Sequence, residues 1–226
     1  MDFLQALSVW ALPVLFAITL HEAAHGYAAL RFGDDTALRA GRISLNPLRH
    51  VDPIGTVILP GMLLLLSNGA IMFGFAKPVP VDFSRLHTPK RDMVWVALAG
   101  PGANLFMALV AAIGLHVSGL IGGDTASEWV TRNLQNAIVI NALLAVFNMI
   151  PIPPLDGGRV AVGILPTPAA IALSRIEPVG IFIVLGGLFL LPQIGLDPFG
   201  AIIWPGAESL IRFVALVTGH RLADLV

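Results

Sequence analysis

Long apolar runs separated by short polar stretches make up most of this chain. Phe3–Leu30 is apolar almost throughout, and Arg31 closes it. The run is long enough to span a bilayer with some tilt, and Pro13 is placed to kink it. Met93–Leu120 and Leu134–Ile150 repeat the pattern, and Ile171–Leu191 and Ala201–Val217 follow, separated by Pro192–Gly200. Each predicts a spanning helix. The run Ile54–Phe75 differs, because Gly55, Pro60-Gly61 and Ser67-Asn-Gly69 interrupt it. Such breaks suit a re-entrant or bent element buried in protein better than a lone spanning helix. Ala40–Pro47 alternates like a short strand. In Lys77–Phe83, Pro78 and Pro80 each restrain the preceding residue to extended backbone. The expected fold is an all-α polytopic membrane protein with five transmembrane helices, one re-entrant or broken apolar element and a short β-like segment near the cytoplasmic face. Residues 1–226 read as a single membrane-embedded domain, with a core over 3–159 and two C-terminal helices in 160–226.

Composition agrees with a bilayer as the surroundings. Hydrophobic residues make up 56% of the chain and charged residues 12%, where a soluble domain carries about 25% charge. Mean hydropathy is +0.84. A net charge of −1 gives no reason to expect nucleic acid as a partner. Cysteine is absent, which excludes disulfides and thiolate metal sites. The placement of charge then tests the topology. If Ile54–Phe75 does not cross, 12 of the 13 Lys and Arg residues share one side and Arg132 stands alone on the other. If it does cross, the split is five against eight. Cytoplasmic loops collect Lys and Arg, so the first arrangement is expected, with the N-terminus outside and the C-terminus cytoplasmic.

One cluster breaks the first apolar run. His21 and His25 flank Glu22, the only carboxylate between Phe3 and Leu30. Residues four apart on a helix are offset by about 40° and about 6 Å, so both imidazoles point the same way. That spacing suits two nitrogen ligands on one zinc, with the carboxylate placed as a base. A helix end that presents a Glu and two His to water is the plainer reading. Against it stands the cost of ionisable groups in an apolar run.

A catalytic zinc usually takes three protein ligands and a water. From Leu134 to Ile150 the third span covers about 25 Å and returns to the side where the His pair sits. That brings Asp156 to the same depth. The prolines of Asn148-Met-Ile-Pro-Ile-Pro-Pro-Leu-Asp156 end the helix and allow the chain to turn the carboxylate inward. Asp156 fits equally well as the cap of the following helix, and spacing alone does not choose between the two.

His21-Glu-Ala-Ala-His25, Ala99-Gly-Pro-Gly-Ala-Asn104 and Asn148-Met-Ile-Pro-Ile-Pro-Pro-Leu-Asp156-Gly-Gly-Arg159 occur in this order, an order that resembles the site-2 protease family of intramembrane zinc metalloproteases. The likeness covers roughly residues 15–159. The stretches Gly41–Pro47 and Gly74–Val81 look like the family's compact bacterial and archaeal branch. The resemblance implies one Zn²⁺ held by His21, His25 and Asp156, and Glu22 as the catalytic acid/base. It implies a transmembrane protein as substrate, cut within or near its membrane segment. It also implies that Asn148 stabilises the oxyanion or bonds substrate, although a helix–helix hydrogen bond would serve as well for that residue. Asn104 reads as structural, bonding backbone near the His pair. His50 and Asp52 read first as loop residues and then as support for the metal site. The rival reading is a membrane zinc-binding protein or transporter without proteolysis, against which the presence of Glu22 argues.

Overall fold

The computed structural model describes residues 3–46 and 77–226, with Arg49, Asp52, Gly55, Ile58 and Met62 between them. Most of Ile54–Phe75, and His50, lie outside the described residues. Among the described residues every regular element is helical. Residues 40–46 form a turn and irregular chain, so the strand-like alternation there does not become a strand.

The first apolar run is one helix, α1 (Phe3–Arg31), continuous through Pro13. It stops where Gly33 takes a φ of 107°, a conformation that costs glycine little. The second, α2 (Pro89–Ser118), starts with proline in its first turn, where a missing N–H removes nothing. The Asp92 carboxylate accepts from the Thr88 N–H at 2.6 Å and closes that turn. The third, α3 (Asp124–Asn148), ends at the proline break. Three shorter helices follow, α4 (Asp156–Ile164), α5 (Thr167–Ser174) and α6 (Glu177–Leu185), the last continued by a π turn to Leu190 and a 3₁₀ turn to Ile194. The last long helix is α7 (Gly200–Thr218). Five segments, Leu7–Arg31, Pro89–Ser118, Asp124–Asn148, Glu177–Ile194 and Gly200–Thr218, are long and apolar enough to cross a membrane.

Small residues set how closely the long helices pack. Ala108, Ala111 and Ala112 of α2 meet Ile138 and Ala142 of α3 and Ala207, Ile211, Val214 and Ala215 of α7 in one buried cluster. Between apolar helices in lipid, packing rather than water exclusion drives association, and small side chains permit it. Gly206 shows the tolerance: a Cβ there would lie 2.6 Å from Val146.

Polar contacts fix which helix ends lie together. Trp129 Nε1 donates to Ser8 Oγ at 3.2 Å, and Asn136 donates to the Val9 carbonyl at 3.0 Å. His116 lies 2.8 Å from the Thr218 carbonyl, and Gln135 donates to the Asp224 carbonyl at 3.1 Å. The start of α1, the end of α2, the start of α3 and the end of α7 therefore share one end of the bundle. The end of α3 and the start of α7 share the other, where Phe199 and Ile203 pack with Ile150, Leu155 and Val184.

Both chain termini thus lie at the same end of the bundle, whereas the charge count alone expected them on opposite sides of a membrane. The charge count let each of the five predicted spanning helices alternate sides. The contacts of 177–194 explain the difference. A Cβ on Gly180 would strike the Pro153 carbonyl, and one on Gly187 would strike the Phe199 ring. The segment therefore begins and closes against the same end of the bundle, and α7 makes the return traverse.

Candidate metal centre

The site forms where α1, α2 and α4 meet. His21 and His25 lie one turn apart on α1, and the nearest part of α2 is Gly100. A Cβ at that position would sit 2.4 Å from His25 Nε2 and 2.6 Å from His21 Cε1. Only glycine leaves room for both rings between the helices. Asp156 is the first residue of α4. The turn before it is equally tight, because a Cβ on Gly157 would fall 2.2 Å from the Met149 carbonyl oxygen and one on Gly158 2.2 Å from the Pro153 nitrogen. His21, His25 and Asp156 are 6, 9 and 8% exposed.

Three atoms converge there. His21 Nε2 and His25 Nε2 are 3.1 Å apart, and Asp156 Oδ2 lies 3.2 Å from the first and 3.3 Å from the second. Ligands at about 2.0–2.1 Å around a tetrahedral zinc are separated by about 3.3–3.4 Å, so the triangle has the size that one such ion requires. The far side of each ring decides what its near nitrogen offers. His25 Nδ1 lies 2.7 Å from the Val96 carbonyl, an oxygen that can only accept, so the proton is on Nδ1. His21 Nδ1 lies 2.6 Å from Asn104 Oδ1. A neutral imidazole with its proton on Nδ1 presents a lone pair at Nε2. Two lone pairs and a carboxylate oxygen then face one another, and Asp156 Oδ2 is buried without a hydrogen bond of its own. That donor set fits a small dication.

Glu22 lies one residue along α1 from His21 and is half-buried. Its carboxylate accepts the backbone N–H of Val79 at 2.8 Å. Val79 lies in an irregular strap, Lys77–Asp82, pinned at two further points. Arg42 donates to the Lys77 carbonyl at 2.6 Å, and the Asp82 N–H donates to Asp34 at 2.7 Å. The Val79 side chain rests on Gly26, one turn beyond Glu22, where a Cβ would come within 3.0 Å. Since Pro78 and Pro80 have no N–H, the amide on Glu22 is the only one that the middle of the strap can offer.

The other expected residues divide. Asn148 donates to the Leu144 carbonyl on its own helix at 3.0 Å. Asp52 accepts from the Gly55 N–H at 2.7 Å and is not among the converging groups. Asn104 does not bond backbone alone, since it also reaches His21 directly. Sequence reasoning missed Asn141, Val79 and the Val96 carbonyl. Its place as one of three asparagines in the apolar span Leu134–Ile150 was the only signal for the first, and a backbone group carries none.

Comparison with known proteins points the same way. The model of peptidase family M50 matches residues 113–191, a stretch with Asp156 but without the His pair. The chain is 33% identical over 214 residues to YwhC of Bacillus subtilis (strain 168), which carries a provisional zinc metalloprotease name, with 91% of this chain and 90% of the relative covered. It is 30% identical over 221 residues to Rip2 of Mycobacterium tuberculosis (strain H37Rv), which carries the same kind of name, with 98% of this chain and 77% of the relative covered. No solved structure matches the chain.

Proposed function

Because this chain belongs to peptidase family M50, the site-2 protease family, and is a zinc metalloprotease of the membrane, we propose that it hydrolyses peptide bonds in or near the transmembrane segments of other membrane proteins. His21 Nε2, His25 Nε2 and Asp156 Oδ2 would hold its zinc. The observation that carries this reading is their convergence, three donor atoms within 3.1–3.3 Å of one another in a buried setting. The bound ion supplies a Lewis acid that polarises the scissile carbonyl and lowers the pKa of a water to about 7.

The chain's own groups do the rest. Glu22 takes the proton from the attacking water and passes it to the nitrogen of the leaving amine. The Val79 amide, on one carboxylate oxygen of Glu22, holds that side chain in place and leaves the other oxygen for the proton. Asn148 commits one amide hydrogen to Leu144, and its second is our candidate donor to the substrate carbonyl oxygen as charge develops there. Of the 13 Lys and Arg residues, ten belong to elements at the metal end of the bundle, which supports a cytoplasmic placement of the site. Both termini would then face the opposite side of the membrane.

The test is cleavage of a single-span substrate in reconstituted membranes, with zinc counted per chain. Glu22→Gln is expected to keep one zinc and to lose cleavage by about 10²–10⁴-fold. Zinc binding with no cleavage by the natural chain would favour the non-proteolytic zinc-binding reading.

A further inference from the structure

Behind His21 lies a buried polar chain that the reaction does not touch. Asn104 is 0% exposed and Asn141 2% exposed. Asn104 Nδ2 donates to Asn141 Oδ1 at 2.7 Å and to the Ala17 carbonyl at 3.3 Å. Asn141 Nδ2 donates to the Ala137 carbonyl at 2.8 Å. Every site in this chain has one possible assignment. Carbonyl oxygens only accept, so the Asn141 nitrogen must face Ala137, which turns its oxygen to Asn104. The Asn104 nitrogen then has two acceptors before it, and its oxygen is left to face His21 Nδ1. An oxygen there requires the proton on Nδ1 and leaves the lone pair on Nε2, toward Asp156 and His25.

We propose that Asn141 is a positioning residue for the metal, acting through Asn104 to set which nitrogen of His21 carries the proton. The inference rests on the zinc reading of the His21, His25 and Asp156 group. His25 needs no such relay, because the Val96 carbonyl fixes its proton directly. His21 has a side-chain amide at that place, and an amide can turn over. If Asn141 is lost, one Asn104 hydrogen loses its acceptor and only the longer 3.3 Å contact to Ala17 resists the turn. A turned Asn104 presents N–H to Nδ1 and moves the imidazole proton to Nε2, which then cannot ligate. Partners that orient a metal-bound imidazole are worth about 10–100-fold in metal affinity.

The experiment uses the whole chain in detergent, with Zn²⁺ titrated against a competing chelator. Asn141→Leu is expected to bind zinc about 10–100-fold more weakly than the natural chain. The second readout is the ¹⁵N spectrum of labelled histidine in the zinc-free protein at alkaline pH, where the rings are neutral. The His21 signal, identified by its absence in His21→Gln, is expected to move from Nδ1-protonated toward Nε2-protonated in Asn141→Leu. A loss of packing alone would not move it. Unchanged affinity and an unchanged tautomer overturn the proposal. If Asn141→Leu does not fold, Asn141→Ser, too short to reach Asn104, takes its place with the same two outcomes. If the natural chain itself binds no zinc, the metal reading fails instead, and the two failures are told apart by that control.

Discussion

Substituting Gly100 by alanine is the sharpest test of how the site is built, because one methyl group is added and nothing polar changes. On backbone grounds alone the change is favourable, since alanine in a helix interior is preferred over glycine by about 0.8–1 kcal/mol. Gly102, two residues on in α2, has nothing within 4 Å of its missing Cβ, so Gly102→Ala should realise that gain. At Gly100 the same methyl meets His25 Nε2 at 2.4 Å and His21 and His25 Cε1 at 2.6 Å each. Ordinary contact lies near 3.5 Å, so each ring must retreat by about 1 Å or the helices must part. Overpacking of this kind costs about 1–3 kcal/mol. The rings that must move are the ones whose nitrogens would hold the ion, so the cost appears in metal binding. At about 1.4 kcal/mol per tenfold, zinc affinity should fall roughly 5- to 150-fold. The assay is chelator competition on both variants in detergent, with melting temperature recorded beside it. The expected pattern is a Gly102→Ala protein with unaltered zinc binding and a Gly100→Ala protein that folds but binds weakly. If Gly100→Ala binds zinc as tightly as Gly102→Ala, the His pair is not held against α2 as described.

Two other outcomes follow from contacts away from the metal. Asp34 is fully buried and accepts from the Thr36 amide and hydroxyl and from the Asp82 N–H. Burial raises its pKa, and those hydrogen bonds outweigh it and leave the carboxyl below its ordinary value. A depressed folded-state pKa means that the unfolded chain binds more protons in that window, so stability is present above pH ~4 and lost as pH falls through the lower value. Asp34→Asn should therefore melt below the natural chain at neutral pH, and the gap should narrow on acidification below about pH 4; a gap independent of pH would contradict the assignment. The chain has no cysteine, so single-cysteine variants report sidedness directly. Gly122→Cys and Val226→Cys should label from one face of sealed vesicles and Ser174→Cys from the other. Labelling of Val226→Cys together with Ser174→Cys would refute the shared end of the two termini.

What sequence determined is the part governed by local spacing. Helical period and apolar length placed the first, second and last of the long helices within a few residues at both ends, but missed the polar first turns of the third, which starts at Asp124; the His21–His25 interval put two imidazoles on one face. The proline break after Asn148 and the return of the third span placed Asp156 at the right depth, because helix rise converts residue count into distance. Three things were decided only by packing between distant segments. Gly180 and Gly187 seat 177–194 against Pro153 and Phe199, which reverses the sense of α7 and brings the two termini together; hydropathy registers that segment as apolar and says nothing of its neighbours. The Val79 amide reaches Glu22 from 57 positions away, and a backbone group has no residue type by which to be recognised. Asn104 stands 83 positions from His21, and Asn141 acts through it. Which nitrogen of a histidine is left bare depends on what lies behind the ring, and that partner exists only once the helices have packed.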